Sequence, residues 1–197
     1  MIKNSYSFWD ILKLSYFLFR TKLIASRARL IRFPIEIRGR KFIDFGYGLT
    51  TGFGCRFEAY PLSKGKKLLF GNNVQVNDYV HISAMNQIKI GNNVLMASHI
   101  FISDSSHGNY KGDDQSAPDI PPIERKYYTA PVCIEDNVWL GEGVTVMPGV
   151  TIGHGSIIGA NSIVTKNIPP NSIAVGSPAK IIKKYDETSK KWICRCF

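Results

Sequence analysis

The chain has few cysteines and none in a metal-binding or redox spacing. Cys55, Cys133, Cys194 and Cys196 form no CxxC pair. Cys194 and Cys196 flank one arginine, too close for an ordinary disulfide or a zinc knuckle. This usage points to a reducing compartment. No uncharged run approaches the length of a membrane span, and the N-terminal apolar stretch lacks the small-residue cleavage site of a signal peptide. Acidic residues are missing from residues 11–35, which hold Lys13, Arg20, Lys22, Arg27, Arg29 and Arg32. Residues 176–197 hold six cations against two acids. These two ends account for the whole net charge of +10, so the remainder is neutral. That distribution disfavours a diffuse nucleic-acid-binding surface and suits a local contact with an anionic surface or ligand. With 197 residues, 44% hydrophobic, the chain is long enough for one domain with a sizeable core.

What it has is a period of six. Ile134, Leu140, Val146, Ile152, Ile158 and Val164 are each six apart, and glycines follow three of them. Val138, Val144, Val150, Ser156 and Ser162 recur four residues after each lead, all apolar or small. Upstream, Phe70, Val76 and Ile82 keep the spacing, as do Ile90, Met96 and Ile102. Gly71-Asn72-Asn73-Val74 and Gly91-Asn92-Asn93-Val94 repeat almost verbatim, and weaker echoes begin at Phe45 and Phe53. A helix needs a period near 3.6 and a flat strand a period of 2. Six fits a short strand plus a tight turn, with Gly and Asn supplying positive backbone angles. Three such units close a triangular coil, and stacked coils make a β-solenoid with each lead residue inside.

Three segments depart from the repeat. Residues 8–33 read as a helix, with Leu12, Tyr16, Phe19, Leu23 and Leu30 at three-to-four spacing. It either packs this face on the domain or lies on anionic lipid. From Ser103 to Pro131 no hexad fits, and the four prolines and Tyr127-Tyr128 favour an ordered excursion. Residues 179–187 read as a short helix capping the solenoid, before a basic tail. The domain plan is therefore an amphipathic helical segment (1–35), a solenoid (36–178) with the loop 103–131, and a C-terminal helix and tail (179–197).

The repeats, the His-Gly at 107–108 on the interrupting loop, "NVWLG" (137–141) and "NSIVTKNIPPNSIAVGSPAK" (161–180) together resemble the hexapeptide-repeat acyltransferases. Within them the chain is similar to the bacterial lipopolysaccharide O-antigen O-acetyltransferases and the galactoside and maltose acetyltransferases. The resemblance covers residues 70–184 strongly and 36–69 loosely. It implies a mainly β fold, a left-handed parallel β-helix, assembled as a homotrimer with active sites between subunits. It also implies acetyl-CoA as co-substrate, no metal, and a sugar or lipid-linked oligosaccharide acceptor. The cytoplasm is then the expected location, with peripheral contact through the basic helix at the inner membrane face.

The resemblance assigns the residues as follows. His107 is the general base, because imidazole as a group titrates near neutral pH. Asp104, three residues earlier, is the candidate that orients it. Asn77 falls at the family's acceptor-side asparagine. Trp139 precedes a lead position and so faces outward, where it either packs at the subunit interface or lines the acceptor or pantetheine site. Backbone N–H groups near Gly141 and Glu142 are candidate oxyanion donors. Ala160, Thr165 and Lys166 contact coenzyme A, and Lys183 reaches its phosphates. The acidic residue that sugar acetyltransferases often carry falls near Met85, a departure that weakens any transfer of galactoside specificity. The loop after His107 is longer than in those relatives, which implies a larger acceptor. The competing functions are acetylation of a free small sugar or xenobiotic, a non-enzymatic solenoid, and a γ-carbonic-anhydrase-like zinc protein. The last needs three converging histidines, and the spacing of His81, His99 and His107 does not match it.

Overall fold

The structure is a computed structural model that describes residues 7–194. Three parallel sheets wrap one core. Sheet 1 contains Thr50–Thr51, Gln75–Val76, Leu95–Met96, Trp139–Leu140, Ile157–Ile158 and Ser172–Val175. Sheet 2 contains Ile35–Arg38, Cys55–Ala59, His81–Ala84, Phe101–Ser103, Thr145–Val146 and Ile163–Val164. Sheet 3 contains Ile43–Asp44, Leu68–Phe70, Ile88–Ile90, Val132–Ile134 and Thr151–Ile152. The chain visits sheets 2, 3 and 1 in turn, one short strand per side. Sequence hexads thus become the sides of a triangular coil.

Lead residues stack in columns because each strand pairs in register with the strand one coil away. Phe57, Ile82, Ile102, Val146 and Val164 form one inward column. Phe70, Ile90, Ile134 and Ile152 form a second, and Val76, Met96, Leu140 and Ile158 a third. All are buried. Burying these columns supplies the main apolar driving force for the fold. The echo at Phe53 is shifted. Thr51 and Phe57 are the buried pair there, while Phe53 packs on the N-terminal helix.

That helix, α1, spans Phe8–Ile24, shorter than the 8–33 read from spacing. It begins at a capping box, in which the Asp10 N–H donates to Ser7 Oγ (3.2 Å) and the Ser7 N–H donates to the Asp10 carboxylate (3.0 Å). It stops because the following residues are recruited by the first coil. Leu30 pairs with Thr50, and the Leu49 carbonyl accepts the Arg29 and Leu30 N–H groups. Those bonds cover an edge of sheet 1 that would otherwise expose unpaired backbone.

The expected C-terminal helix is absent, and residues 179–187 are corrected to strand. Lys180–Asp186 runs antiparallel to Ser172–Val175 and then pairs with Lys191–Cys194. The edge of the last parallel strand decides this. The chain reverses immediately after it, at Gly176 to Ala179, and the open edge captures the returning segment. Cys196 and the last residues of the basic tail lie outside the described residues.

Candidate active site

The interrupting loop leaves sheet 2 after Ser103 and returns to sheet 3 at Val132, so it projects from the edge between those sheets. Its base is an antiparallel pair, Ser105–His107 against Tyr127–Thr129. His107 ends the first strand, exposed to solvent, with its ring 4.7 Å from the Tyr127 ring. Its carbonyl accepts the Tyr110 hydroxyl at 2.6 Å. Arg125 in turn donates to the Tyr110 oxygen (2.8 Å) and to the Ile120 and Pro118 carbonyls. Gly108 sits at φ +111, and a Cβ there would lie 2.5 Å from the Tyr110 hydroxyl. The His-Gly pair therefore lets the tyrosine close over the backbone beside the histidine. Among the described residues the His107 ring nitrogens have no hydrogen-bond partner, which leaves both for a ligand.

Asp104 does not orient this histidine. Its carboxylate is fully buried and accepts the Met85 and Asn86 N–H groups, both at 2.8 Å. Burial pushes its pKa up, and those two N–H groups with that of Gln87 oppose the rise. Asp104 clamps the loop root to the preceding coil.

Two groups of expected site residues separate in the chain. Thr165 and Lys166 lie on the same edge as His107, where sheet 2 passes to sheet 3. A cavity of about 360 Å³ joins Thr165, Met147 and Pro148 of the coils to Ser106, Tyr110 and Tyr128 of the loop. Asn77, Gly141, Glu142 and Ala160 lie on another edge, where sheet 1 passes to sheet 2. Asn77, Glu142 and Ala160 are exposed there. The Gly141 N–H is spent on the Ile158 carbonyl at 2.8 Å, so it is corrected out of the oxyanion role. A Cβ at Gly141 would meet the Ala160 nitrogen at 2.7 Å, and this close approach is what the glycine serves. Trp139 points outward from sheet 1, 48% exposed, as its place before a lead residue requires. It belongs to a row along that face that follows Leu95 and continues through Ile157 and Ile173 to Lys183. In a triangular coil sheet 1 is the side opposite the edge that carries His107. The core therefore lies between His107 and Trp139 within one chain.

The sequence reading missed the Tyr110–Arg125 clasp and a stacked pair. At the edge between sheets 1 and 2, one residue per coil has a left-handed backbone: Gly54, Tyr79, His99, Gly143 and Asn161. Only Tyr79 and His99 are neither Gly nor Asn. Their rings stack at 5.1 Å, and His99 Nε2 lies 4.0 Å from Glu142. The break in an otherwise Gly/Asn column was the available signal. His81 faces outward from sheet 2 and bonds the Glu58 carboxylate at 2.8 Å. Burial pushes the Glu58 pKa up, but hydrogen bonds from His81, Arg56 and Tyr60 outweigh it and hold the carboxyl at about 2. Burial pushes the Cys55 thiol up to about 11 and the Cys133 thiol up as well, which makes neither a ready nucleophile.

The chain is similar to known proteins. The pattern described as "Bacterial transferase hexapeptide (six repeats)" matches residues 134–166. The putative lipopolysaccharide biosynthesis O-acetyl transferase WbbJ of Escherichia coli is 44% identical over 173 residues, 87% of each chain. The chain belongs to the hexapeptide-repeat acyltransferases. Its solenoid is the left-handed β-helix of that family, and it is an acetyltransferase enzyme. The galactoside O-acetyltransferase of E. coli is 35% identical over 160 residues, covering 81% of this transferase and 75% of that chain. A solved galactoside acetyltransferase in complex with coenzyme A aligns at a TM-score of 0.59 with 26% identity, over 89% of this chain and 74% of that one. The N-acyltransferase AntD of Bacillus cereus, at 20% identity and a TM-score of 0.69 over 87% and 89% of the two chains, shares the fold.

Proposed function

We propose that this transferase moves acetyl from acetyl-CoA to a saccharide hydroxyl in lipopolysaccharide O-antigen assembly, with His107 as general base in direct transfer. One observation carries the catalytic part. His107 is the histidine held on a clasped loop, solvent-exposed, its ring nitrogens without partners among the described residues, and its chain neighbours Ser106 and Gly108 line the cavity that includes Thr165. The name carried by the 44% identical relative supports the pathway.

His107 takes the proton of the acceptor hydroxyl as that oxygen attacks the thioester carbonyl. The Glu142 N–H is the backbone donor kept for the oxygen on which negative charge develops. As the carbon–sulfur bond breaks, His107 returns the proton to the sulfur, leaving an acetyl ester and a free thiol. Bound acetyl-CoA supplies the activated acetyl group. The Met147–Thr165 cavity, with Lys166 beside it, suits a narrow arm ending in phosphates, and Lys183 adds a further cation at the foot of the Trp139 face. Because the core separates His107 from Trp139, a substrate touched by both needs two chains. This favours a homotrimer whose sites join the loop edge of one subunit to sheet 1 of the next.

Thiol release from acetyl-CoA with candidate saccharides tests the reading. His107→Ala is expected to lower turnover about 10²–10⁴-fold with an unchanged circular dichroism spectrum. Unchanged turnover removes His107 from the mechanism. Mass spectrometry of surface polysaccharide, with and without the protein, identifies the acceptor by the gain of one acetyl group.

A further inference from the structure

α1 touches the solenoid through a narrow strip. Phe17 and Thr21 are its buried residues, with the Phe17 ring against Phe33 (5.7 Å) and Phe53 (5.9 Å). Thr21 Oγ1 accepts the Ile31 N–H at 2.8 Å. At roughly 100° per residue, the residues opposite are Phe8, Leu12, Tyr16, Phe19 and Leu23, continued by Trp9 on one side and by Ile11 and Leu18 on the other. All are exposed, Trp9 to 75% and Phe19 and Leu23 to 65%. An apolar face of this size that no other described residue covers marks a contact surface.

The charges around it indicate what covers it. Arg20 and Lys13 border the stripe on one side, their cationic ends 3.9 Å over Phe33 and 5.1 Å over Phe53. Lys22 sits between the Phe8–Phe19 row and Ile11 and Leu18, its ammonium donating to the Ser26 (3.0 Å) and Ala28 (3.3 Å) carbonyls. The only acid of the helix, Asp10, is tied into the capping box on the inner side. At the C-terminal end the stripe runs into a cavity of about 310 Å³ lined by Lys22, Leu23, Arg27, Arg40 and Lys66; Asp44, paired with Arg27 at 3.0 Å, is the one acid among the described residues lining it. Apolar side chains edged by cations, with an electropositive recess beside them, complement acyl chains under anionic headgroups. A twofold contact with a second copy would set these cations against their own equivalents.

We propose that α1 docks this enzyme on an anionic bilayer, its apolar stripe at the acyl–headgroup boundary and the Lys22–Arg27–Arg40–Lys66 recess at lipid phosphates. The helix belongs to the N-terminal end of the solenoid. The strand leading into the His107 loop lies three strands in from the edge strand Ile35–Arg38, about 14 Å. On the acceptor reading above, a saccharide held at the surface by its lipid can reach that depth. The docking itself stands apart from that reading.

Flotation with vesicles of phosphatidylcholine mixed with phosphatidylglycerol, against pure phosphatidylcholine, tests it using the full chain. The protein is expected to float with the anionic vesicles and to be released toward about 1 M salt, where screening is strong. Leu12→Glu with Phe19→Glu should abolish binding. Lys22→Gln with Lys66→Gln should weaken it about fivefold per charge. Both positions in the first pair are exposed, so melting temperature and circular dichroism should stay unchanged. The proposal fails if the wild type does not float, or if the Leu12/Phe19 variant floats equally. Loss of the oligomer in that variant, without vesicle binding by the wild type, assigns the stripe to a second copy instead.

Discussion

His107 and Asp104 are three residues apart and play different parts. The histidine stands where the repeat breaks, so no inward column claims its side chain. Asp104, still inside the coil that precedes the loop, is drawn to the turn at Met85 and Asn86. Those residues are 19 and 18 earlier, one coil away, yet the break at Ser103 hides that relation in the sequence. The oxyanion assignment failed at Gly141 for a similar reason, because ladder bonding is invisible until the coils stack. Asp104→Asn places an amide donor against backbone donors. It should cost about 1–3 kcal/mol in a denaturant melt, while the native fraction keeps its turnover. An equal loss of turnover at full stability would return Asp104 to the active site.

The repeating elements were legible because a six-residue period excludes other regular structures. Their ends were not, since the extent of α1 and the fate of residues 179–187 depend on which sheet edge needs a partner. The left-handed corners lie between these cases. Asn or Gly recurs at them, and Tyr79 and His99 stand out only once the corner column is seen. A side chain at positive φ costs of order 1 kcal/mol, least for Gly and Asn. His99→Asn is therefore expected to raise the melting temperature by a few degrees. A lower melting temperature would mean that the Tyr79–His99 stack outweighs the backbone strain.

At the scale of the molecule, the solenoid holds two groups of candidate site residues apart. The loop edge carries His107, Thr165 and Lys166, and the opposite side carries Trp139 and Lys183. If neighbouring subunits complete the site, His107→Ala and Trp139→Ala chains should complement each other. Subunits mixed at equal ratio, unfolded and refolded together, should regain roughly a quarter of wild-type turnover, because one site in four joins an intact His107 to an intact Trp139. Turnover no higher than the sum of the separate variants would place the site within one chain.

The sequence alone determined the triangular coil, its inward columns and the exit point of the loop. Each follows from residue spacing, and spacing is local chemistry repeated. Which face of α1 meets solvent, what Asp104 holds, which N–H remains for a ligand and how the C-terminal segment pairs were decided only by the tertiary structure. Each of those depends on a backbone edge or a neighbouring coil that the chain meets only after it has closed on itself.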